Sequence, residues 1–410
     1  MNRIPIVYYH SVAPSRNRSW YKNALTLELV HFENFLKYLK KSGFVFLHLD
    51  EYFQNRQDPT YSKRAISLQF DDGYLDNYVY VFPLLKKYQA KATIFVNPEF
   101  VPKETALRPT LEDVWQGALR ADELPQSGFL NWEEMRLMES SGLVEIQSHT
   151  LTHAKYNFND RLVDIHRPGS NYLNTIGNRY PERKPYYMTN PEFASLLPFG
   201  TPLFEEKSAF FVQRVWINEA FESACVAALK NTNWSTATKE DLLSRVMPIY
   251  SDFQQRDEII SKRETPAEFE ERILMELKES RRIIGEQLSK DVLYCCWPHG
   301  NYNQHAHDMA MKAGYRATTI VLGYHEINES TDRFDRIGHG ALKNNERLTL
   351  WRIRYKVSLY RGNPLARLIH HIFLFLRYGS RKVERSHSEK GTLRRSSFVD
   401  QSVRGIQGRD

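Results

Sequence analysis

The 410-residue chain has only three cysteines, Cys225, Cys295 and Cys296, and two of them are neighbours. Adjacent cysteines do not usually bridge each other, and none of the three shows metal-ligand spacing. Neither a disulfide framework nor a cysteine-built zinc site is expected. A long apolar run is missing as well. The stretch "LIHHIFLFL" near the C-terminus is too short to span a bilayer. The N-terminal "MNRIPIVYYHSV" enters a strand-like run almost at once, which leaves no room for the apolar region and cleavage site of a secretory leader; a cytoplasmic protein is expected. No helix-turn-helix, zinc finger or interleaved aromatic platform accompanies the basic residues, so no nucleic-acid partner is expected.

What is present is enough apolar sequence, 41% of residues, for a large core. The net charge of +7 is unevenly placed: from Lys343 onward there are sixteen Lys and Arg against five acids, which leaves a mildly acidic body. Strand-length apolar runs alternate with helix-period segments. "IPIVYY" precedes "TLELVHFENFLKYLKKSG", "AISLQF" precedes "NYVYVFPLLKKYQ", and "ATIFV", "GLVEIQS", "DVLYCCW", "NQHAHDMAMKAG" and "YRATTIVL" follow. That alternation predicts a parallel α/β sheet, open or closed into a barrel. Gly43 and Gly314 stand where helix C-caps are expected. Residues 102–128 read as a loop insertion, and 159–264 are too long for a plain loop and read as an inserted cap or subdomain. The expected organisation is a first barrel part at 1–158, the insertion at 159–264, a second barrel part at 265–342 and a basic tail at 343–410.

Chemistry-bearing residues collect where the strand-like runs end. After "IPIVYY" comes His10, after "AISLQF" come Asp71 and Asp72, after "GLVEIQS" come His149 and His153, and after "DVLYCCW" comes Pro298-His299-Gly300. In parallel α/β folds the carboxyl ends of strands build the site, so these distant residues are expected to converge. Adjacent acids at the end of an apolar run mark either a cationic partner or an Asp-Gly turn at which the strand has reached solvent. The spacing of "SHTLTH" lets both rings face one ion if the backbone turns helically after His149, and two histidines with one carboxylate form an open metal site.

The motifs "QFDDGY", "SHTLTH" and "WPHGNYN" followed by "MKAGYRATT", with their spacers, resemble the polysaccharide deacetylases of the NodB-homology superfamily, carbohydrate esterase family 4. The likeness covers roughly residues 1 to 100, 129 to 157 and 266 to 340. It implies a distorted (β/α) barrel, to which the large inserted cap and the basic C-terminal tail read from the sequence itself are added. It also implies a metal held by Asp72, His149 and His153, zinc first with cobalt or manganese as alternatives, and Asp71 as general base. The backbone N–H of His299 would hold the oxyanion. The early "VYYHSV" matches the permuted-order branch resembling poly-N-acetylglucosamine deacetylases, which makes His10 the general acid, with His339 of "RIGHG" as competitor. Tyr74, Trp297, Pro298, Gly300 and Arg336 are expected around the substrate.

Two departures from the family pattern stand out. His299 replaces an aromatic residue, and Cys296 stands where shorter members carry an arginine that orients the base; Arg336 is the candidate substitute. The implied activity is removal of an N-acetyl group from an acetamido sugar of a polysaccharide or glycan precursor. The alternatives are a catalytically impaired carbohydrate-binding protein and a deacylase of a smaller amide. The apolar segment at about 361–382, flanked by arginines, suits either peripheral contact with an anionic membrane face or packing on the domain.

Overall fold

The computed structural model describes residues 3–17, 20, 22–58, 61, 64–169, 173–300, 302–320, 330–341 and 345–372. The central sheet is built from β1 (Ile6–Tyr9), β2 (Ala65–Phe70), β3 (Ala92–Val96), β4 (Val144–Ser148), β5 (Tyr294–Cys295), β6 (Ala317–Ile320), β7 (Arg333–Asp335) and β8 (Ile337–Gly338). Their order is β7-β6-β5-β4-β3-β2-β1-β8, and every pairing along it is parallel. The two ends of that order are neighbours in sequence: β7 pairs with β6 through Thr318 and Arg333, β8 pairs with β1 through Val7 and Ile337, and only Arg336 separates them. The sheet therefore closes on itself as the barrel that the alternation and the family resemblance imply.

Parallel strands covered on both faces carry no polar–apolar alternation, which is why "AISLQF" is buried at all six positions. The outward face packs with Phe32, Phe35 and Leu36 of α1 (Leu29–Lys41), and with residues of α2 (Phe82–Tyr88), α3 (Trp132–Ser140), α4 (Pro266–Leu288) and α5 (Gln304–Lys312). The inward face contributes Ile6, Phe95, Tyr294, Cys296 and Phe334 to a separate cluster. Leu49, Tyr52 and Phe53 of a short helix belong to the same cluster, with Phe53 stacked on Tyr294 at 5.1 Å. Above that apolar plug the inward positions turn polar, with Ser67, Gln69, Thr93 and Gln147 all buried. Gly43 and Gly314 follow α1 and α5 with φ of +69° and +91°, as the sequence predicts.

The insertion has a core of its own, formed by Phe221, Cys225, Leu229, Leu242, Val246 and Ile259. It starts at the long strand Lys155–Ile165, antiparallel to Pro202–Ser208, and ends at Thr265, the N-cap of α4. It lies within the same compact unit as the barrel, residues 1–361. One expected boundary shifts. Helix α6 (Glu346–Tyr360) places Ile353, Val357 and Tyr360 in the main core, so the unit extends to Arg361 rather than stopping at 342. Its apolar residues at i, i+4 and i+7 outweigh the basic charge by which the segment was assigned to a tail. Within the second unit, from Gly362, Leu365, Leu368 and Ile372 are exposed, and the rest of the expected interfacial segment lies outside the described residues.

If α6 is part of the core, Ile353→Ala should lower the unfolding free energy by about 2–5 kcal/mol, the range for truncating a buried isoleucine. Denaturant titration measures it, and a change below roughly 0.5 kcal/mol would return α6 to the surface class.

Candidate functional site

Five separate segments, after β1, β2, β4, β5 and β7, deliver side chains to the carboxyl ends of the strands. The backbone N–H of Asp71 bonds Tyr9 O at 3.0 Å, extending the β1–β2 ladder by one rung before the chain turns. The turn uses two successive left-handed residues, Asp72 (φ +71°) and Gly73 (φ +64°). A Cβ on Gly73 would meet Val96 Cγ1 at 2.9 Å, so position 73 requires glycine for space as well as for φ. The Asp-Gly pair is a turn, and it is also the device that swings Asp72 out of strand direction.

His149 continues β4 by donating its N–H to Val96 O at 2.8 Å. The expected helical turn after it does not form. Thr150 (φ +67°) and His153 (φ +51°) are left-handed, and the segment is a tight irregular bend. Asn97 clasps this bend, its amide donating to the carbonyls of His149 and Thr150. Glu276 of α4 accepts from the Thr152 N–H and hydroxyl at 2.8 and 2.6 Å. From the insertion, buried Lys184 reaches Thr152 O at 2.9 Å and Glu99 at 2.6 Å. Four of the seven described non-glycine residues with positive φ are Asp72, Thr150, His153 and His299. Such conformations persist only where surrounding bonds over-determine them.

The result is two charge clusters sharing a wall. In the first, Asp72 Oδ1 lies 3.2 Å from His149 Nε2 and 3.3 Å from His153 Nε2. His149 Nδ1 lies 2.8 Å from Cys296 O, which can only accept, so the ring proton is on Nδ1 and the Nε2 lone pair faces the carboxylate. Burial pushes His153 down to about 4. Burial would also lower His149, yet Cys296 and Asp72 raise it. Burial would raise the Asp72 carboxyl, but its contacts with His149 and His153 hold it well below its usual range. Three electron-pair donors within 4.8 Å of one another repel unless a cation stands among them, and this donor set fits a divalent metal.

In the second cluster, Arg336 grips Asp71 with both prongs, at 2.6 and 2.9 Å. Burial would raise the Asp71 carboxyl, but the Arg336 charge wins and lowers it. Cys296 Sγ lies 3.6 Å from the same carboxylate, and His10 Nε2 is 3.9 Å from its other oxygen. His299 is exposed, and its ring meets His153 edge-on at 4.4 Å. The competitor of His10 for the acid role sits elsewhere: His339 is buried between Tyr9 and Phe35, with Nδ1 3.1 Å from the Tyr9 hydroxyl. Burial pushes it down to about 3.

Three of the expected substrate contacts take other places. Tyr74 is buried against Phe129 and Trp20 in the cluster that joins the barrel loops to the insertion. Trp297 is buried against Phe210, because it points to the outward face of β5 rather than into the mouth. Arg336 is committed to Asp71. Pro298 is buried beneath the motif, and Gly300 remains exposed. Sequence reasoning missed Glu99, Lys184 and Glu276, whose positions in helical or loop segments carry no motif. It also missed Asp76, only four residues past the acid pair. Asp76 accepts from Ser11 Oγ at 2.5 Å and from Asn77 Nδ2 at 2.8 Å, and Asn77 also bonds His10 O at 3.0 Å.

Burial raises Asp76 to about 7. An acid so raised adds stability that is complete below its unfolded pKa near 3.8 and is lost as pH climbs through 7. Asp76→Asn should therefore gain on the wild type in melting temperature from pH 5 to 8, with roughly 1.4 kcal/mol at stake per pKa unit. Parallel curves across that range would contradict the assignment.

The polysaccharide deacetylase family profile matches residues 58–170, which include Asp71, Asp72, His149 and His153. The YxkH protein of Bacillus subtilis, assigned to the polysaccharide deacetylases, is 30% identical over 156 residues, 38% of this chain and 45% of that protein. The poly-beta-1,6-N-acetyl-D-glucosamine N-deacetylase of Staphylococcus aureus is 27% identical over 119 residues, 29% of this chain and 35% of its own length. The chain thus spans less than half the length of these curated relatives. Among solved structures, a de-N-acetylase from Aggregatibacter actinomycetemcomitans superposes over 82% of this chain and 94% of its own, with a TM-score of 0.47 and 18% identity. IcaB from Ammonifex degensii covers 86% and 97%, with a TM-score of 0.46 and 14% identity. The segment 58–170, which carries the acid pair and both histidines, is thus similar to the polysaccharide deacetylase family.

Proposed function

We propose that the protein is a metal-dependent hydrolase that removes the acetyl group from an acetamido sugar of a polysaccharide or glycan precursor. The observation that carries this reading is the pairing of an Asp72–His149–His153 donor set with an adjacent, arginine-held carboxylate, Asp71. A divalent cation bound by the donor set, zinc by preference for two imidazoles and a carboxylate, would activate water and polarise the acyl oxygen. Asp71, fixed by Arg336 and kept ionised, takes the proton from the attacking water. The backbone N–H of His299 donates to the oxygen that gains charge. His10, on the far side of Asp71 and partly open to solvent, protonates the departing amine, so that acetate and a free amino sugar result. Arg336 acts through Asp71 as a positioning residue.

A cytoplasmic location, and with it a precursor as substrate, belongs to the same proposal. No described helix is long and apolar enough to cross a membrane. The exposed Leu365, Leu368 and Ile372, followed by further arginines, support peripheral attachment to an anionic membrane face.

With acetylated oligosaccharides as substrates and release of acetyl mass as the readout, Asp71→Asn should keep metal and fold and lose at least about 100-fold in kcat. Arg336→Lys keeps the charge without the two-pronged grip and should lose about 10- to 100-fold. Asp72→Ala and His149→Ala should lose metal on dialysis; full occupancy in both would remove the ligand assignment. If His339→Ala abolishes turnover and His10→Ala does not, the acid is misassigned.

Truncation after Arg361 leaves α6 whole. It should abolish sedimentation with anionic vesicles while sparing activity on a soluble substrate. Loss of solubility or of that activity would make the tail part of the fold instead.

A further inference from the structure

The insertion encloses a cavity of about 660 Å³, within the roughly 300–1,000 Å³ of small-ligand sites, and none of the catalytic residues lines it. Its wall includes Tyr156 and Asn157, which follow the histidine loop in sequence, together with Arg214, Trp216 and side chains of the helix Glu219–Ala228. Arg214 is the anomaly. Its guanidinium is held between two rings, 4.6 Å from the Tyr156 centroid and 4.7 Å from that of Trp216. Stacking fixes the plane of the group and leaves its edge, which carries the N–H donors, to find acceptors.

Among the described residues it finds none. The obvious counter-ion, Glu264, is consumed: Arg272 takes both its oxygens at 2.7 and 2.9 Å, and the backbone N–H of Arg214 takes one of them again at 2.8 Å. The other acids around the cavity are also accounted for. Glu222 is paired with Arg179. Glu206 accepts from Thr175 at 2.8 Å, and Glu219 lies at the exposed start of its helix. Nor does any described residue bond the Asn157 amide, a second polar group on the same wall. Desolvated N–H donors without an acceptor are costly, and a planar fork fixed on both faces matches a planar carboxylate with two acceptor oxygens.

We propose that this cavity is a second binding site, for a carboxylate-bearing sugar, with Arg214 as the fork that receives the carboxylate. Asn157 serves the neighbouring hydroxyls. The site is separate from the catalytic donor set and stands whether or not the deacetylation reading holds.

Glucuronate is the probe, titrated by ligand-observed NMR at low salt into the full-length protein. Saturable binding is expected, with glucose at least tenfold weaker. Arg214→Gln should weaken glucuronate at least tenfold. Ala227→Trp, on the exposed rim of the cavity and away from any core position, should obstruct it to a similar degree in a protein whose melting temperature is unchanged. Chelator treatment should leave the affinity as it was; loss of binding on chelation would place the carboxylate at the catalytic centre and overturn the proposal. So would equal binding of glucose, undiminished binding in Ala227→Trp, or inorganic phosphate that binds as tightly as glucuronate.

Discussion

The two-pronged contact between Arg336 and Asp71 is the constraint on which the mouth of this barrel depends. Arg336 is the single residue between β7 and β8, where the sheet closes, and Asp71 is the first residue beyond the end of β2. Little of either side chain reaches solvent, so neither charge could be left alone: breaking such a pair costs about 3–5 kcal/mol because the survivor stays uncompensated. The barrel cannot close in another register without exposing that cost. One ion pair therefore ties the residue at which the sheet closes to the end of β2 and fixes the orientation of a carboxylate next to the donor set.

Fixing Asp71 fixes what adjoins it. Asp72 leaves the strand through a left-handed turn that only Gly73 can complete beside Val96, and it meets two imidazoles whose own backbone is strained. That strain is held by neutral and charged partners from three directions: Asn97 from β3, Glu276 from α4, and Lys184 from the insertion. Because Lys184 is buried and bonded both to Glu99 and to the loop carrying His153, the insertion is a structural member of the site.

How far the sequence discloses this differs residue by residue. "AISLQF" followed by "DDG", and the "SHTLTH" pair, state the donor set because strand periodicity and motif spacing are local properties. The convergence of the two histidines was legible, but not its means: a four-residue spacing suits a helical turn, whereas left-handed Thr150 and His153 achieve it by a bend that no propensity encodes. Arg336 could be named only as a substitute for the arginine that Cys296 displaces, since its proximity to Asp71 arises from barrel closure between residues 265 positions apart. Tyr74 and Trp297 were placed around the substrate by motif membership, and the alternation of strand faces sent Trp297 outward. The start of the tail is not legible from charge, because the buried stripe of α6 outweighs the basic residues that the helix carries.

Asp76 shows why a motif reading stops short of the mechanism. Its carboxyl is raised by burial, and its partners Ser11 and Asn77 belong to the segments that carry His10 and the acid pair. In sequence it is one more acid in a polar turn. In the folded chain it bonds the loop after β1 to the loop after β2, so the distance from His10 to Asp71 is set partly by a side chain that touches neither. Arg336 works from the opposite side of the same carboxylate, by closing the sheet. The acid and base of the proposed reaction are thus held relative to each other by two buried groups outside the recognised motifs, and the geometry of the reaction is a property of the closed barrel rather than of any one loop.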